Sequence, residues 1–172
     1  MPLFSVIMPH YQGTVQHAEL LRAVGSLRSQ TFKDFELLLY HDGPLLDESV
    51  PMPTACHATE TRFNDWGHSL RDLGIRAAKG DYIVHLNADN VLYPNALEEI
   101  AKGIARPARV IHEQHGPLDP NDIVVFPIYL RGYQVIRDLK VRNPQCPDWS
   151  VILPGYPVTR EYVDAMQLVH RL

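Results

Sequence analysis

Asn87-Ala88-Asp89-Asn90 closes the apolar run Tyr82-Ile83-Val84-His85-Leu86, and a helix start follows at Tyr93-Pro94-Asn95-Ala96-Leu97-Glu98-Glu99. A carboxylate at a strand's C-terminal end is where open α/β folds hold ligands. Asp89 can bind Mg²⁺ or Mn²⁺, hard cations that take oxygen ligands and often only one or two protein carboxylates beside phosphate oxygens. Asn87 offers a carbonyl oxygen without charge. An ion held by Asp89 alone is therefore weakly bound unless a nucleoside diphosphate sits beside it. Two more polar clusters, Pro9-His10-Tyr11-Gln12 and His41-Asp42-Gly43, also end apolar runs. Asp42 can accept hydrogen bonds from a base or ribose edge, and Tyr11 can stack on or flank a base. Arg71 and Arg76 share one predicted helix. Either can reach diphosphate oxygens, and either can equally be a solvated surface charge.

The elements that must position these residues follow from patterning. Leu3 to Met8 reads as a buried parallel strand stopped by Pro9. Leu20, Leu21, Val24 and Leu27 have helical spacing within about 16–29. Phe35 to Tyr40 is the second strand. Leu45 to Thr61 carries a weak pattern that predicts a short strand and a variable loop. Asn64 or Asp65 can cap a helix over about 67–78, which Lys79-Gly80 closes with Gly80 as its C′ residue. Tyr82 to Leu86 is the next strand, and a helix over about 94–104 has Pro94 near its first position. Ile123 to Leu130 reads as a strand on a sheet edge because of Pro127. Tyr133 to Leu139 and Ser150 to Leu153 are further strand candidates. Tyr162, Val163, Met166 and Val169 make a helical pattern over 160–172.

The chain thus opens as strand, loop, helix, strand, the start of a mostly parallel α/β sheet. In such a sheet the three polar clusters emerge on one edge. They line one shared crevice with Pro9, Tyr11, Gln12, Asp42, Asn87 and Asp89 in its wall. Three unrelated loops are the alternative, since polar residues are expected in loops.

Composition narrows the class. The 172 residues are 45% hydrophobic and 21% charged, which suits one globular domain with a real core. The net charge of −4 and the scattered Lys and Arg give no nucleic-acid surface. We expect no signal peptide, and no apolar run of membrane-spanning length occurs in the sequence. We expect a cytoplasmic protein, with peripheral membrane contact and a homodimer left open. Cys56 and Cys146 read as free thiols in a reducing compartment. The nine histidines show no HExxH spacing, and His85 reads as packed within its strand rather than as a metal ligand. No GxGxxG follows the first strand, and neither GxxxxGK[ST] nor a nucleophile elbow occurs.

Taken as an ordered set, these segments strongly resemble the family 2 glycosyltransferases, the inverting GT-A group. Ser5-Val6-Ile7-Met8-Pro9-His10-Tyr11-Gln12 is similar to that family's Ser-Val-Ile-Ile-Pro-Thr-Tyr-Asn. Leu27 to Glu36 is similar to its Ser-Leu-x-x-Gln-Thr segment with a later Glu. His41-Asp42-Gly43 is similar to Asp-Asp-Gly. Arg71 to Ile83 is similar to Arg-Asn-x-Gly-x-x-x-Ala-x-Gly-Glu-Tyr-Ile, and Leu86-Asn87-Ala88-Asp89-Asn90 to Leu-Asp-x-Asp-Asp. The resemblance covers roughly residues 3 to 100. Three departures matter for charge: His41, Asn87 and Asn90 each stand where the family has an acid.

The resemblance implies a three-layer α/β/α GT-A fold with a mostly parallel central sheet, and leaves open whether its C-terminal part is incomplete or the protein is short. Residues 1–105 would be its nucleotide-sugar-binding half and 106–172 the start of its acceptor-side half. It implies transfer of a sugar from a nucleoside-diphosphate sugar, with uracil as the expected base, to a glycan, lipid or protein hydroxyl with inversion. The position of Asp42 then contacts the base, Asp89 carries the metal (Mn²⁺ or Mg²⁺), and Asn87 lies near the ribose or the metal. No general base can be assigned, although Glu161 and Asp164 are the nearest carboxylates in order. The competing reading is a non-catalytic nucleotide or nucleotide-sugar binding protein on the same fold. A nucleotidyltransferase would want a Gly-rich basic loop after the first strand, and only Gly13 is there.

Overall fold

Every residue from Phe4 to Met8 is buried, the signature of a strand covered on both faces and paired on both edges. This strand, β1 (Phe4–His10), is followed by α1 (His17–Arg28), β2 (Phe35–His41), β3 (Cys56–Ala58), α2 (His68–Ala77), β4 (Tyr82–His85) and α3 (Ala96–Ala105). The computed structural model describes residues 1–53 and 56–105 and, as backbone, six later strands. These are β5 (Ile123–Val125), β6 (Ile128–Arg131), β7 (Tyr133–Ile136), β8 (Leu139–Arg142), β9 (Ser150–Leu153) and β10 (Leu168–Arg171).

The chain forms two compact units, Met1–Asp122 with His170–Leu172, and Ile123–Val169. The main sheet has the order β3-β2-β1-β4-β10-β5, in which β3, β2, β1 and β4, all in the first unit, pair in parallel. In the second, β6 pairs antiparallel with β9 and β7 with β8.

The α1 helix begins after Gln16, whose side chain and that of Glu19 cap each other's backbone. Leu20, Ala23, Val24 and Leu27 are its buried face. Its C-terminal end is tied to the start of α3. Gln30 Nε2 donates to Tyr93 O (2.7 Å), and Gln30 Oε1 accepts the Leu97 N–H (3.0 Å). Thr31 adds a backbone bond to Pro94 O (2.7 Å) and a hydroxyl bond to Glu98 Oε2 (2.7 Å). Gln30 Oε1 thus accepts from one of the N–H groups that a helix N-terminus leaves without an intrahelical partner.

The α2 helix packs on β1 through Gly74, where a Cβ would lie 2.5 Å from Ile7 Cγ2. At its start the geometric cap is Gly67 (φ 79°), while the Asp65 carboxylate accepts the Ser69 N–H (2.9 Å). That bond and the Ser69 hydroxyl hold the Asp65 carboxyl below its usual range.

Four expectations are corrected. First, Pro9 does not stop β1. The strand runs on to His10, because β1 pairs with β4 only as far as Ile7↔His85. His10 O accepts from Asp42 N on the β2 side, so Pro9 faces the β4 side, beyond the last ladder bond there. Its missing N–H therefore costs nothing.

Second, Gly80 is not the C′ residue of α2, whose C-cap is Ala78. It is required because a Cβ would fall 2.6 Å from Phe4 C and Ser5 N. Third, Ile123 to Leu130 is two strands, β5 and β6, on either side of Phe126-Pro127. Fourth, Leu168–Arg171 is a strand, not part of a helix. Over so few residues helical spacing and strand patterning cannot be separated, and sheet pairing decides. Residues 160–167 and Cys146 lie outside the described residues. Cys56 is a free thiol whose pKa burial pushes up to about 11.

The glycine contacts and the buried His10 each have a measurable consequence. Gly25, exposed in α1 with nothing within 4 Å of an added Cβ, should accept alanine with a gain of about 0.5–1 kcal/mol. Gly80→Ala should lose about 1–3 kcal/mol; urea unfolding midpoints measure both, and equal midpoints would contradict the close approach. His10 is 3% exposed, and burial, with His41 beside it, lowers its pKa from 6.5 to about 4. The unfolded chain therefore binds the extra proton first. Stability present above pH 6.5 should decline towards pH 4 by up to about 3 kcal/mol. A His10→Gln variant should show a flatter decline in urea midpoint over that range.

Candidate functional site

Because β2, β1 and β4 are adjacent and parallel, their C-terminal ends open on one edge. Pro9, Tyr11 and Gln12 lie at the end of β1 and just after it, Asp42 follows β2, and Asn87 and Asp89 follow β4.

The β1 loop turns tightly, with Thr14 N and Val15 N both bonded to Tyr11 O. Gly13 lies under the Tyr11 ring, where a Cβ would collide with it. His41 is fully buried and locks this loop to the next. Gln12 N–H donates to its Nε2 (3.1 Å), so the ring proton sits on Nδ1 and is donated to Gly43 O (2.8 Å). Gln12 turns its side chain away to the 46–47 backbone, with Oε1 accepting from Leu46 N and Asp47 N and Nε2 donating to Asp47 O. It acts as a loop brace. A cavity of about 190 Å³, lined by His10, Gln12, Val15, His17, Leu46 and Met52 among others, lies beside that brace. By strand alternation His10 faces the opposite side of β1 from Pro9.

Asp42 is 6% exposed. Its Oδ1 accepts the Phe63 N–H (2.7 Å) and its Oδ2 the Asn64 N–H (3.1 Å). An ionised carboxylate has about four acceptor sites, so these bonds leave capacity for a ligand's donor. Arg62 covers this corner. Its guanidinium lies 3.8 Å from the centre of the Tyr11 ring and its Nε is 3.7 Å from Asp42 Oδ2.

On the other side, Gly67 approaches Pro9 so closely that a Cβ would lie 2.8 Å from Pro9 Cβ. Arg71 Nη1 donates to Trp66 O (3.1 Å), and Nη2 to Asn87 Oδ1 (2.7 Å). The Asn90 N–H to Asn87 O bond (3.1 Å) closes a turn that leaves Asp89 exposed at its tip.

Pro9, Tyr11, Asp42, Asn87 and Asp89 are therefore brought to one edge of the sheet, and Arg71 reaches that edge through Asn87. Arg76 does not join them. It lies near the end of α2 with its side chain 74% exposed, bonded to Asp72 Oδ2 at 2.9 Å, an ordinary helix-surface pair. Among the described residues no group of three His, Cys, Asp or Glu side chains could hold a metal ion. The donor set at Asp89 is one carboxylate, with the Asn87 amide oxygen already bonded to Arg71. Such a set fits Mg²⁺ or Mn²⁺ only as an ion shared with phosphate oxygens and water. Arg62 and Trp66 are residues that sequence reading missed. The one signal was a stretch of Arg and aromatics, Arg62-Phe63-Asn64-Asp65-Trp66, between a strand and a helix.

The chain is similar to known glycosyltransferases. The uncharacterized glycosyltransferase RP339 of Rickettsia prowazekii is 28% identical over 178 residues, covering 99% of this chain and 48% of that protein. Glycosyltransferase GlyG of Streptococcus pneumoniae is 26% identical over 176 residues, covering 92% of this chain and 57% of that protein. The chain thus spans about half the length of these curated relatives.

The crystal structure of S. aureus TarS 1-349 superposes with a TM-score of 0.56 at 14% identity, covering 98% of this chain and 46% of that one. The same TarS fragment in complex with UDP-GlcNAc gives 0.53 at 18%, covering 72% and 33%. These likenesses establish the GT-A fold. The model of glycosyl transferase family 2 matches residues 5–121, and the chain belongs to that family.

Proposed function

We propose that residues 1–105 form the nucleotide-sugar-binding half of an inverting glycosyltransferase, and that 106–172 begin its acceptor-side half. The donor is a UDP-sugar and the acceptor a hydroxyl of a glycan, lipid or protein. The observation that carries this reading is the convergence of Tyr11 and Asp42 at one end of the crevice with Arg71, Asn87 and Asp89 at the other. The UDP and UDP-GlcNAc complexes of TarS, a protein of the same fold, support it.

In this reading Asp42 accepts a hydrogen bond from the base, and Tyr11 and Pro9 flank base and ribose. Arg71, already aimed across the crevice by Trp66 O and Asn87, meets the diphosphate as a charge-assisted donor. Asp89 would be the carboxylate that holds Mn²⁺ or Mg²⁺. When bound, the ion supplies neutralisation of charge developing on the departing diphosphate. The acceptor hydroxyl attacks the anomeric carbon from the face opposite the diphosphate, its proton passing to a carboxylate base. That bond forms as the anomeric carbon–oxygen bond to UDP breaks, and UDP leaves.

A second reading, a nucleotide-sugar binding protein without transfer activity, draws on one observation. Asn87 contributes an amide where a second carboxylate would strengthen metal binding, and that amide is bonded to Arg71.

Calorimetric titration of UDP with and without Mn²⁺ tests the site. Mn²⁺ should tighten UDP binding about tenfold or more, and Asp89→Ala should abolish that gain while retaining weaker metal-free binding. No binding of UDP or any other nucleoside diphosphate would overturn the proposal. Release of UDP from a UDP-sugar in the presence of acceptor then separates transferase from binder.

A further inference from the structure

Segment 62–67 holds a residue at two simultaneous disadvantages. Trp66 has φ 62°, in the left-handed region that a bulky side chain rarely occupies, and it is 93% exposed. Its neighbours share the backbone conformation, with Asn64 at φ 54° and Gly67 at φ 79°. An indole normally gains by burial, and here it is strained and solvated together. Such a conformation persists only where its surroundings over-determine it.

The surroundings that do so are crevice residues. Asp42 fixes the Phe63 and Asn64 N–H groups at one end. At the other end Arg71 Nη1 binds Trp66 O, and Gly67 sits against Pro9. The same Arg71 guanidinium binds Asn87 through its second nitrogen. Trp66 is thereby placed at the Arg71–Asn87 end of the crevice, not at the corner where Arg62 covers Tyr11 and Asp42.

We infer that Trp66 is a stacking platform for a pyranose ring, held at the rim of the crevice by the residues that bind the donor. This rests on the proposed donor site. With base at Asp42 and diphosphate at Arg71, the ring next in line is a sugar. An exposed indole face suits the C–H face of a pyranose, which offers apolar contact while its hydroxyls stay in water. The pyranose can be the donor's or the acceptor's, and the experiment separates them.

Trp66 and Trp149 are the two tryptophans, so a Trp149→Phe protein reports a single indole N–H by ¹⁵N NMR. UDP-glucose or UDP-GlcNAc shifting that resonance beyond the effect of UDP assigns the donor sugar. Methyl β-glucoside or methyl N-acetylglucosaminide shifting it in UDP-saturated protein assigns the acceptor. An indole unmoved by either, in protein that binds UDP, overturns the inference and leaves the donor site standing. If UDP does not bind, the donor-site reading fails, and the glycosides alone decide the role of the indole.

Two variants add independent readouts. Trp66→Ala should weaken binding of whichever pyranose ligand the NMR identifies by roughly three- to tenfold, with UDP affinity unchanged within twofold. Equal loss for UDP overturns the sugar assignment. Trp66→Gly, which relieves the left-handed strain, should hold or raise the thermal midpoint by a few degrees. A marked fall would make the indole a structural residue and also overturn the inference.

Discussion

Ser5 has no exposure, and its hydroxyl joins three segments of the sheet. It donates to Glu36 Oε1 (2.6 Å) on β2 and accepts from Gly80 N–H (2.8 Å) and Lys79 N–H (3.2 Å) ahead of β4. Lys79 N–H also reaches Glu36 Oε1 at 2.7 Å. These bonds work only in the register Ser5↔Glu36 and Ser5↔Ile83. Since side chains alternate along a strand, a slip of one residue would exchange its faces. His10 would then exchange faces with Pro9. A polar knot at the N-terminal edge of the sheet thus sets the geometry at the C-terminal edge, where the chemistry is placed.

The same constraint explains the glycines. Gly80 must bring its N–H to Ser5 Oγ with no room for a Cβ, and Gly74 lets α2 lie directly on Ile7. With α2 that close, Arg71 reaches both Trp66 O and Asn87 Oδ1. Gln30 and Thr31 do the corresponding work at the other flank, fixing the start of α3 after the 87–90 turn. Much of what reads as family pattern in this chain is scaffolding for a few crevice residues.

The elements up to Ala105 were legible because their periodicities are long and capped, as in α1 between Gln16 and Ser29. The crevice was legible for a topological reason: parallel strands open on one edge, so clusters far apart in sequence meet. Other features were hidden where a residue's role depends on a partner that spacing does not reveal. Pro9 could stay in β1 only because β4 pairs no further than His85. Gly80 suggested a helix C′ residue, whereas the demand is steric. Arg76 and Arg71 looked equivalent, yet five positions on a helix turn them to different faces, one to Asp72 and one to Asn87. Arg62 and Trp66 stand in an irregular segment whose conformation comes from Asp42 and Arg71, outside the segment itself.

The replacements of acids relative to the family pattern acquire a physical content from these contacts. At position 41 the ring both accepts from Gln12 N–H and donates to Gly43 O. A carboxylate could accept from the first but could not donate to the second. Histidine there bonds two loops at once and keeps a charge out of a fully buried place, where it would be costly. At position 87 the amide oxygen receives Arg71 Nη2 at 2.7 Å. An aspartate would receive it too, but its negative charge would offset that of the guanidinium. The amide orients Arg71 while leaving the positive charge in place for a phosphate. Under the donor site proposed above, an uncharged side chain at position 87 would favour a diphosphate at Arg71 and would leave Asp89 as the carboxylate for a metal ion.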